Sequence, residues 1–220
     1  MIAEELINEM IPPLKPTDTA QKALRWMEEL RVSQLPVVSG QDYKGLVKEE
    51  MIFEHNNPAA LLSDIKLELE QVFAFKYQHF LDVLKVALDH NVELVAILDE
   101  DRHFVGVITV NDTLTAFARS SMQEPGGILV LLMEERDYSL TEVSRLVESN
   151  DAKILSSYVC TDQNDGTKLK LTIKINRTDL TRIIATFERF NYNIVAKFQQ
   201  SQESDDDKER IDLLLRYLNM

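Results

Sequence analysis

Phe104-Val105-Gly106-Val107-Ile108 runs directly into Thr109-Val110-Asn111-Asp112, an apolar strand passing into a polar helix start. Upstream, Leu94-Val95-Ala96-Ile97-Leu98 is apolar at every position, as in a strand covered on both faces. Asp99–His103 is a polar turn between the two strands, and Phe80, Val83, Leu84 and Ala87 fall at helical spacing ahead of them. The order is helix, strand, turn, strand, helix. It recurs about sixty residues earlier, so the segment is one copy of an internal repeat. There Ala20, Ala23, Leu24, Met27 and Leu30 give the helical face, followed by Leu35-Pro36-Val37-Val38, a polar turn at Ser39–Lys44, and Gly45-Leu46-Val47. A unit this small buries too little surface alone, so the two copies are expected to pack together.

Beyond Arg119, where a helix is expected to end, Ser120–Gly127 mixes Ser, Pro and Gly and reads as a linker. The pattern then changes. Ile128–Met133 reads as a strand, Leu140, Val143, Leu146 and Val147 as a helix face, and Lys153–Thr161 as a second strand. Asn164-Asp165-Gly166 predicts a hairpin turn using the positive φ that Asp-Gly tolerates. Leu169, Leu171, Ile173 and Ile175 alternate, Leu180, Ile183, Ile184 and Phe187 form a helix face, and Asn193–Phe198 closes as a strand. This β-α-β-β-α-β order is ferredoxin-like, so the chain is expected to be α+β throughout. Residues 199–220 read as an acidic loop followed by an amphipathic helix carrying Ile211, Leu214, Leu215 and Leu218.

The 220 residues are 45% hydrophobic and 28% charged, the balance of a globular protein. A net charge of −13 repels nucleic-acid phosphates and anionic membranes, so neither is expected as a partner. The single cysteine excludes an internal disulfide, and Cys160, in an apolar strand, is expected in the core. The acidic start Met1–Glu5 and the short apolar runs predict a cytoplasmic protein without a secretory leader. No catalytic or metal-ligating set stands out. His55, His79, His90 and His103 are scattered, and no phosphate-binding glycine fingerprint is present. Thr109 and Asp112 stand three apart at a helix start, which by itself reads as a capping pair.

On these residues, the segment 1–120 resembles two tandem CBS domains, the first over 1–57 and the second over 58–120, each β-α-β-β-α. The segment 127–198 resembles an ACT domain. The order CBS–CBS–ACT in a short chain is similar to that of the acetoin-utilisation regulatory proteins. The resemblance implies a regulatory, non-catalytic protein that binds an adenosine-type ligand, such as AMP or ATP, and needs no cofactor. It implies a homodimer and an unidentified protein target, with the ligand state relayed through the ACT domain. It assigns the ligand to Gly106, Val107, Thr109 and Asp112. Gly106 leaves the backbone open to close approach, Thr109 supplies a hydroxyl where free helix N–H groups favour an anion, and the Asp112 carboxylate accepts from ribose hydroxyls. One threonine can serve both the cap and the ligand. In the first copy the matching stretch is Gly45-Leu46-Val47-Lys48-Glu49-Glu50-Met51, with Lys48 and Met51 replacing the hydroxyl and the carboxylate, so this half-site is expected to be degenerate. The second copy has Leu94-Val95-Ala96-Ile97 where the first has Leu35-Pro36-Val37-Val38, and so lacks the proline. In the ACT-like segment Tyr138 occupies the position of the usual loop glycine, which argues against amino-acid binding, and Ser139 with Glu142 reads as a capping box. The alternative is a dimerisation or protein-interaction module that binds no nucleotide.

Overall fold

Gln34–Val38 and Leu94–Leu98, the apolar strands of the two copies, are buried at every position. In the computed structural model, which describes residues 1–67, 69–121 and 124–199, the backbone divides into two compact units between Ser120 and Ser121. In the first unit, helix α1 (Ala20–Leu30) leads to strand β1 (Gln34–Ser39), strand β2 (Asp42–Lys48) and helix α2 (Glu49–His55). Strand β3 (Phe73–Phe75), helix α3 (Phe80–Asp89), strands β4 (Leu94–Leu98) and β5 (Phe104–Thr109), and helix α4 (Val110–Ser121) follow.

β1 and β2 pair antiparallel, with Gln34 opposite Lys48 and Val37 opposite Gly45. β4 and β5 repeat that register, with Leu94 opposite Thr109 and Ile97 opposite Gly106. Each hairpin carries a register shift one step further on, at Val37/Val38 and at Ile97/Leu98. Gly45 sits beside the first of these with φ 128°, a conformation that needs glycine. The helices start and stop by local chemistry. Thr19 accepts the Lys22 N–H to cap α1, and the His79 ring accepts the Leu81 N–H to cap α3. Arg31, Asn56 and Asn91 take the left-handed conformation just past α1, α2 and α3.

β3 runs parallel to β4 and gives the second copy its full β-α-β-β-α order. The first copy lacks the equivalent strand. Leu14 alone bridges to β1, its N–H donating to the Pro36 carbonyl and its own carbonyl accepting the Val38 N–H, both at 2.8 Å. Pro12, Pro13 and Pro16 flank it and have no N–H to extend a ladder. One hydrophobic core draws on both copies, with Leu14, Met27, Leu35 and Leu46 packed in the same cluster as Leu62, Leu94, Ile97 and Ile108.

The second unit contains β6 (Gly127–Glu134), α5 (Leu140–Glu148), β7 (Ile154–Thr161), β8 (Lys168–Ile175), α6 (Thr181–Arg189) and β9 (Asn193–Phe198). Its sheet has the order β7-β8-β6-β9 with every pair antiparallel, a ferredoxin-like arrangement. Leu129, Leu131, Leu171, Ile173 and Ile175 pack with Val143, Leu146, Ile183 and Phe187 of the two helices. Asp151 and Asn191 end α5 and α6 in the left-handed conformation.

Three expectations are corrected here. Cys160 is exposed, because β7 is an edge strand. Gly166 has no positive φ. The turn is held instead by carboxylates: Asp162 Oδ2 accepts the Asn164 and Asp165 N–H groups, and Asp165 Oδ1 accepts from the Thr167 N–H and hydroxyl. Gly126 and Gly127 are packing positions more than linker: a Cβ at Gly126 would collide with the Ile175 carbonyl, and one at Gly127 would lie 2.5 Å from Leu180 Cδ1. The acidic run and the helix expected over 202–218 lie outside the described residues. Among the described residues, no helix is long and apolar enough to cross a membrane.

The Thr167 hydroxyl, Lys168 and the Thr167 N–H push the Asp165 carboxyl down to about 2. A carboxyl depressed by folding stabilises the fold above its unfolded pKa of about 3.9, and that contribution disappears as pH falls toward 2. Asp165→Asn should therefore lower the melting temperature at pH 7. Thermal melts of the two proteins should converge as pH is taken from 4 toward 2.

Candidate functional site

The junction of β5 and α4 closes on itself through Thr109 and Asp112. Asp112 Oδ2 accepts the Thr109 N–H at 2.9 Å and the Thr109 hydroxyl at 2.6 Å, while the Asp112 N–H donates to Thr109 Oγ1 at 3.0 Å. This is the reciprocal cap that the spacing suggests, with aspartate in place of the longer glutamate. A third donor comes from far away in sequence. The Asn8 side-chain amide donates to Asp112 Oδ2 at 3.1 Å and lies 3.4 Å from Oδ1. The Asn8 backbone N–H donates to the Val107 carbonyl at 2.8 Å.

All four sequence-assigned residues, Gly106, Val107, Thr109 and Asp112, lie along this one junction, but they divide into two groups. Thr109 and Asp112 line an open cleft of about 640 Å³, whereas Gly106 and Val107 do not. Gly106 is buried under the amino-terminal segment, where Ile7 Cγ2 lies only 2.5 Å from the position a Cβ would take. The expected open backbone at Gly106 is thus an approach for Ile7, and its lack of a side chain is needed for that packing.

Asn8, Met10 and Ile11 form one wall of the cleft, and the end of α1 with Arg31 and Val32 forms another. The start of α4, through Asn111 and Leu114, and Glu93 complete it. Among the described lining residues Arg31 is the one cation, against the carboxylates of Glu29, Glu93 and Asp112. The walls therefore combine apolar surface, a fixed carboxylate and a helix start, features common in small-molecule sites. Their charge disfavours a ligand carrying many phosphates.

The first copy carries a smaller counterpart. Lys48, Glu49 and Glu50 at the start of α2 line a cleft of about 300 Å³ with Ser33, Gln34, Asn91, Val92 and Glu93. Met51 supplies its sulfur, 3.3 Å from the Lys48 N–H, where Asp112 supplies a carboxylate in the second copy. Glu93 lines both clefts and accepts from the Ser33 N–H at 3.3 Å and the Ser33 hydroxyl at 2.8 Å.

In the second unit, Tyr138 has φ −70°, an ordinary conformation for a bulky residue, and Ser139 Oγ accepts the Glu142 N–H at 3.3 Å to cap α5. A cleft of about 440 Å³ near that loop is lined by Glu134, Asp137, Glu142, Lys168, Phe190 and Tyr192. Burial, with Glu142 beside it, raises the Tyr192 hydroxyl above its usual range.

Sequence reading did not find Ile7, Asn8 or Glu93, which approach from distant positions. It also did not find the convergence of Asp99, Asp101 and His103, whose ligand-type atoms lie within 4.8 Å of one another. That group braces a turn. Asp99 Oδ1 accepts the Asp101 and His103 N–H groups at 2.9 and 2.8 Å, and the His103 ring lies 3.5 Å from Oδ2. The His103 N–H and ring, with the Asp101 N–H, hold the Asp99 carboxyl below its usual range despite partial desolvation.

Two outcomes follow for the free protein. Asp112→Ala should cost about 1 kcal/mol of stability, as loss of a helix cap does, measurable by chemical denaturation. Gly106→Ala should displace Ile7 and raise hydrogen exchange at the Asn8 amide, while exchange within β6–β8 stays unchanged.

No protein-family model matches the chain. Two curated proteins are similar over part of it. The glycine betaine/carnitine/choline transport ATP-binding protein OpuCA of Bacillus subtilis is 27% identical over 108 residues, 48% of this chain and 28% of that protein. The inosine-5'-monophosphate dehydrogenase of Methanocaldococcus jannaschii is 24% identical over 131 residues, 58% of this chain and 26% of that protein. The matched stretch thus spans little more than a quarter of each relative. Among solved structures, a CBS domain pair/ACT domain protein from Thermotoga maritima superposes with a TM-score of 0.50 at 18% identity, covering 54% of this chain and 98% of that one. The chain carries the mixed α+β fold of a CBS domain pair.

Proposed function

We propose that this chain is a cytoplasmic regulatory protein, without catalytic chemistry, that binds an adenosine-type ligand in the cleft at Thr109 and Asp112. The observation that carries this reading is a carboxylate fixed at a helix start on the wall of a cleft of about 640 Å³. Asp112 Oδ2 is committed to Thr109 and Asn8, whereas Oδ1 has only the long Asn8 contact among the described residues, leaving acceptor capacity for a ribose hydroxyl. Adenine would rest against Met10, Ile11 and Val32. One cation against three carboxylates favours AMP, or a positively charged adenosine compound such as S-adenosylmethionine, over ATP. The ferredoxin-like unit, read as an ACT domain, relays the ligand state to a protein target, and the working form is a homodimer. The ligand acts as a signal only by favouring one arrangement over another, since equal affinity shifts nothing.

A second reading has its own support. Ile7 covers Gly106 and Asn8 already donates to Val107 and Asp112, so the junction is satisfied without a ligand. On that reading the first unit is a nucleotide-independent dimerisation module.

A thermal-shift screen against AMP, ADP, ATP, NAD, S-adenosylmethionine and cyclic di-AMP separates the two. A ligand at about one hundred times its dissociation constant adds about 2.7 kcal/mol, or about 5–10 °C for a chain of this length. A shift that is larger for AMP or S-adenosylmethionine than for ATP, and lost in the Thr109→Ala/Asp112→Ala double variant, is the expected result. No shift with any compound would leave the interaction module as the reading.

A further inference from the structure

The chain places a donor of its own on the carboxylate of the larger cleft. An ionised carboxylate has room for about four donors over its two oxygens. Asp112 Oδ2 already accepts from the Thr109 N–H, the Thr109 hydroxyl and the Asn8 side-chain amide. Oδ1 has only the long Asn8 contact at 3.4 Å. The Thr109 bonds belong to the cap of α4 and stay with it. A ribose presents two neighbouring hydroxyls, and a carboxylate receives both by giving one oxygen to each. Oδ2 opens to the second hydroxyl only if the Asn8 amide withdraws. Asn8 is thus the removable donor, and its amide stands where a donor of the ligand would.

Asn8 lies on a strap that crosses from the second copy to the first. At one end Ala3 is fully buried, and the Ala3 and Glu4 N–H groups donate to the Gln78 and Lys76 carbonyls just after β3. At the other end Leu14 is fully buried and bridges to β1. Within residues 7–10 the polar ties to the rest of the unit are both made by Asn8, through its N–H to Val107 and its amide to Asp112. Met10 is 81% exposed, and its N–H donates back to Asn8 Oδ1 at 3.0 Å, a local turn that aims the amide at Asp112. A half-buried side chain at the wall of a cleft, followed by exposed chain, can swing out while both anchors hold.

We propose that Asn8 is a built-in competitor for the ribose position: its amide occupies Asp112 in the free protein and leaves when an adenosine ligand engages both Asp112 oxygens. This rests on the reading of the cleft as an adenosine site. Affinity is reduced by the fraction of molecules in which the amide is seated. The competition falls on the ribose hydroxyls and not on the base or the phosphate. Asn8 therefore sets how strongly a ribonucleotide is preferred over its 2'-deoxy analogue.

The test is isothermal titration of the full chain with AMP and with 2'-deoxy-AMP, in the parent, Asn8→Ala and Asn8→Asp. The readout is the ratio of the two dissociation constants. In Asn8→Ala, AMP should bind about tenfold more tightly, as removal of a competing hydrogen bond to a charged group implies. 2'-Deoxy-AMP, which needs only Oδ1, should change little, so the ratio rises. Asn8→Asp keeps an acceptor for the Met10 N–H but has no donor for Asp112, and it should raise the ratio as well. The phosphate is common to both nucleotides, so the added charge cancels from that ratio. AMP binding that is measurable in the variants and too weak to measure in the parent is the same result in stronger form. An unchanged or lower ratio in Asn8→Ala overturns the proposal and leaves the adenosine site standing. A rise in Asn8→Ala that is missing in Asn8→Asp traces the effect to the turn at Met10 and also overturns it. Absence of binding by either nucleotide in all three proteins overturns the adenosine reading of the cleft, and the competitor with it.

Discussion

A strand that is apolar on both faces has to be covered on both, and this requirement organises the first unit. Leu94–Leu98 and Gln34–Val38 are each buried from end to end. Neither hairpin can meet that demand with its own helices, so the two copies enclose a single core between them. The partner strands β2 and β5 are less restricted. They emerge from the core toward Lys48 and Thr109, where each passes into a helix. The clefts lie at these exits because the backbone leaves the core there, and polar side chains can face open space without a burial penalty.

The same constraint explains what was legible in the sequence. The hairpin strands and the helices beside them declared themselves through apolar runs and helical spacing, since burial imposes those patterns directly. Phe73–Phe75 did not, because three residues carry no period. It becomes a strand only through its parallel partner β4. The exposure of Cys160 is hidden from the sequence for a related reason. The residues of β7 suit a strand, but an edge position leaves them exposed, and composition does not distinguish edge from centre. At the Asp162–Lys168 turn the glycine drew attention, while the fixing is done by two aspartate carboxylates whose partners are all local.

At the Thr109–Asp112 junction the local half was readable and the long-range half was not. A threonine and an aspartate three residues apart announce a cap, and the cap is present. The contact from Asn8 spans 104 positions, and nothing near Asn8 marks it as a partner for α4. Gly106 shows how the same residue type can serve different neighbours: the absence of a side chain is required, but by Ile7. Gln34 is the opposite case. Within Gln34-Leu35-Pro36-Val37 it passes for a strand-edge polar residue, and only its burial and its alignment with Leu94 set it apart.

Glu93 is a wall of both clefts, and it is tied through Ser33 to the first copy. A carboxylate shared in this way would couple the two clefts once either is occupied. Whatever neutralises or reorients the carboxylate from one side changes the field on the other, and by linkage the influence runs equally in both directions. Such coupling would need no large motion, since the same carboxylate faces both clefts. Its sign follows from charge: a cation on one side weakens the pull on a second cation and relieves the repulsion of an anion.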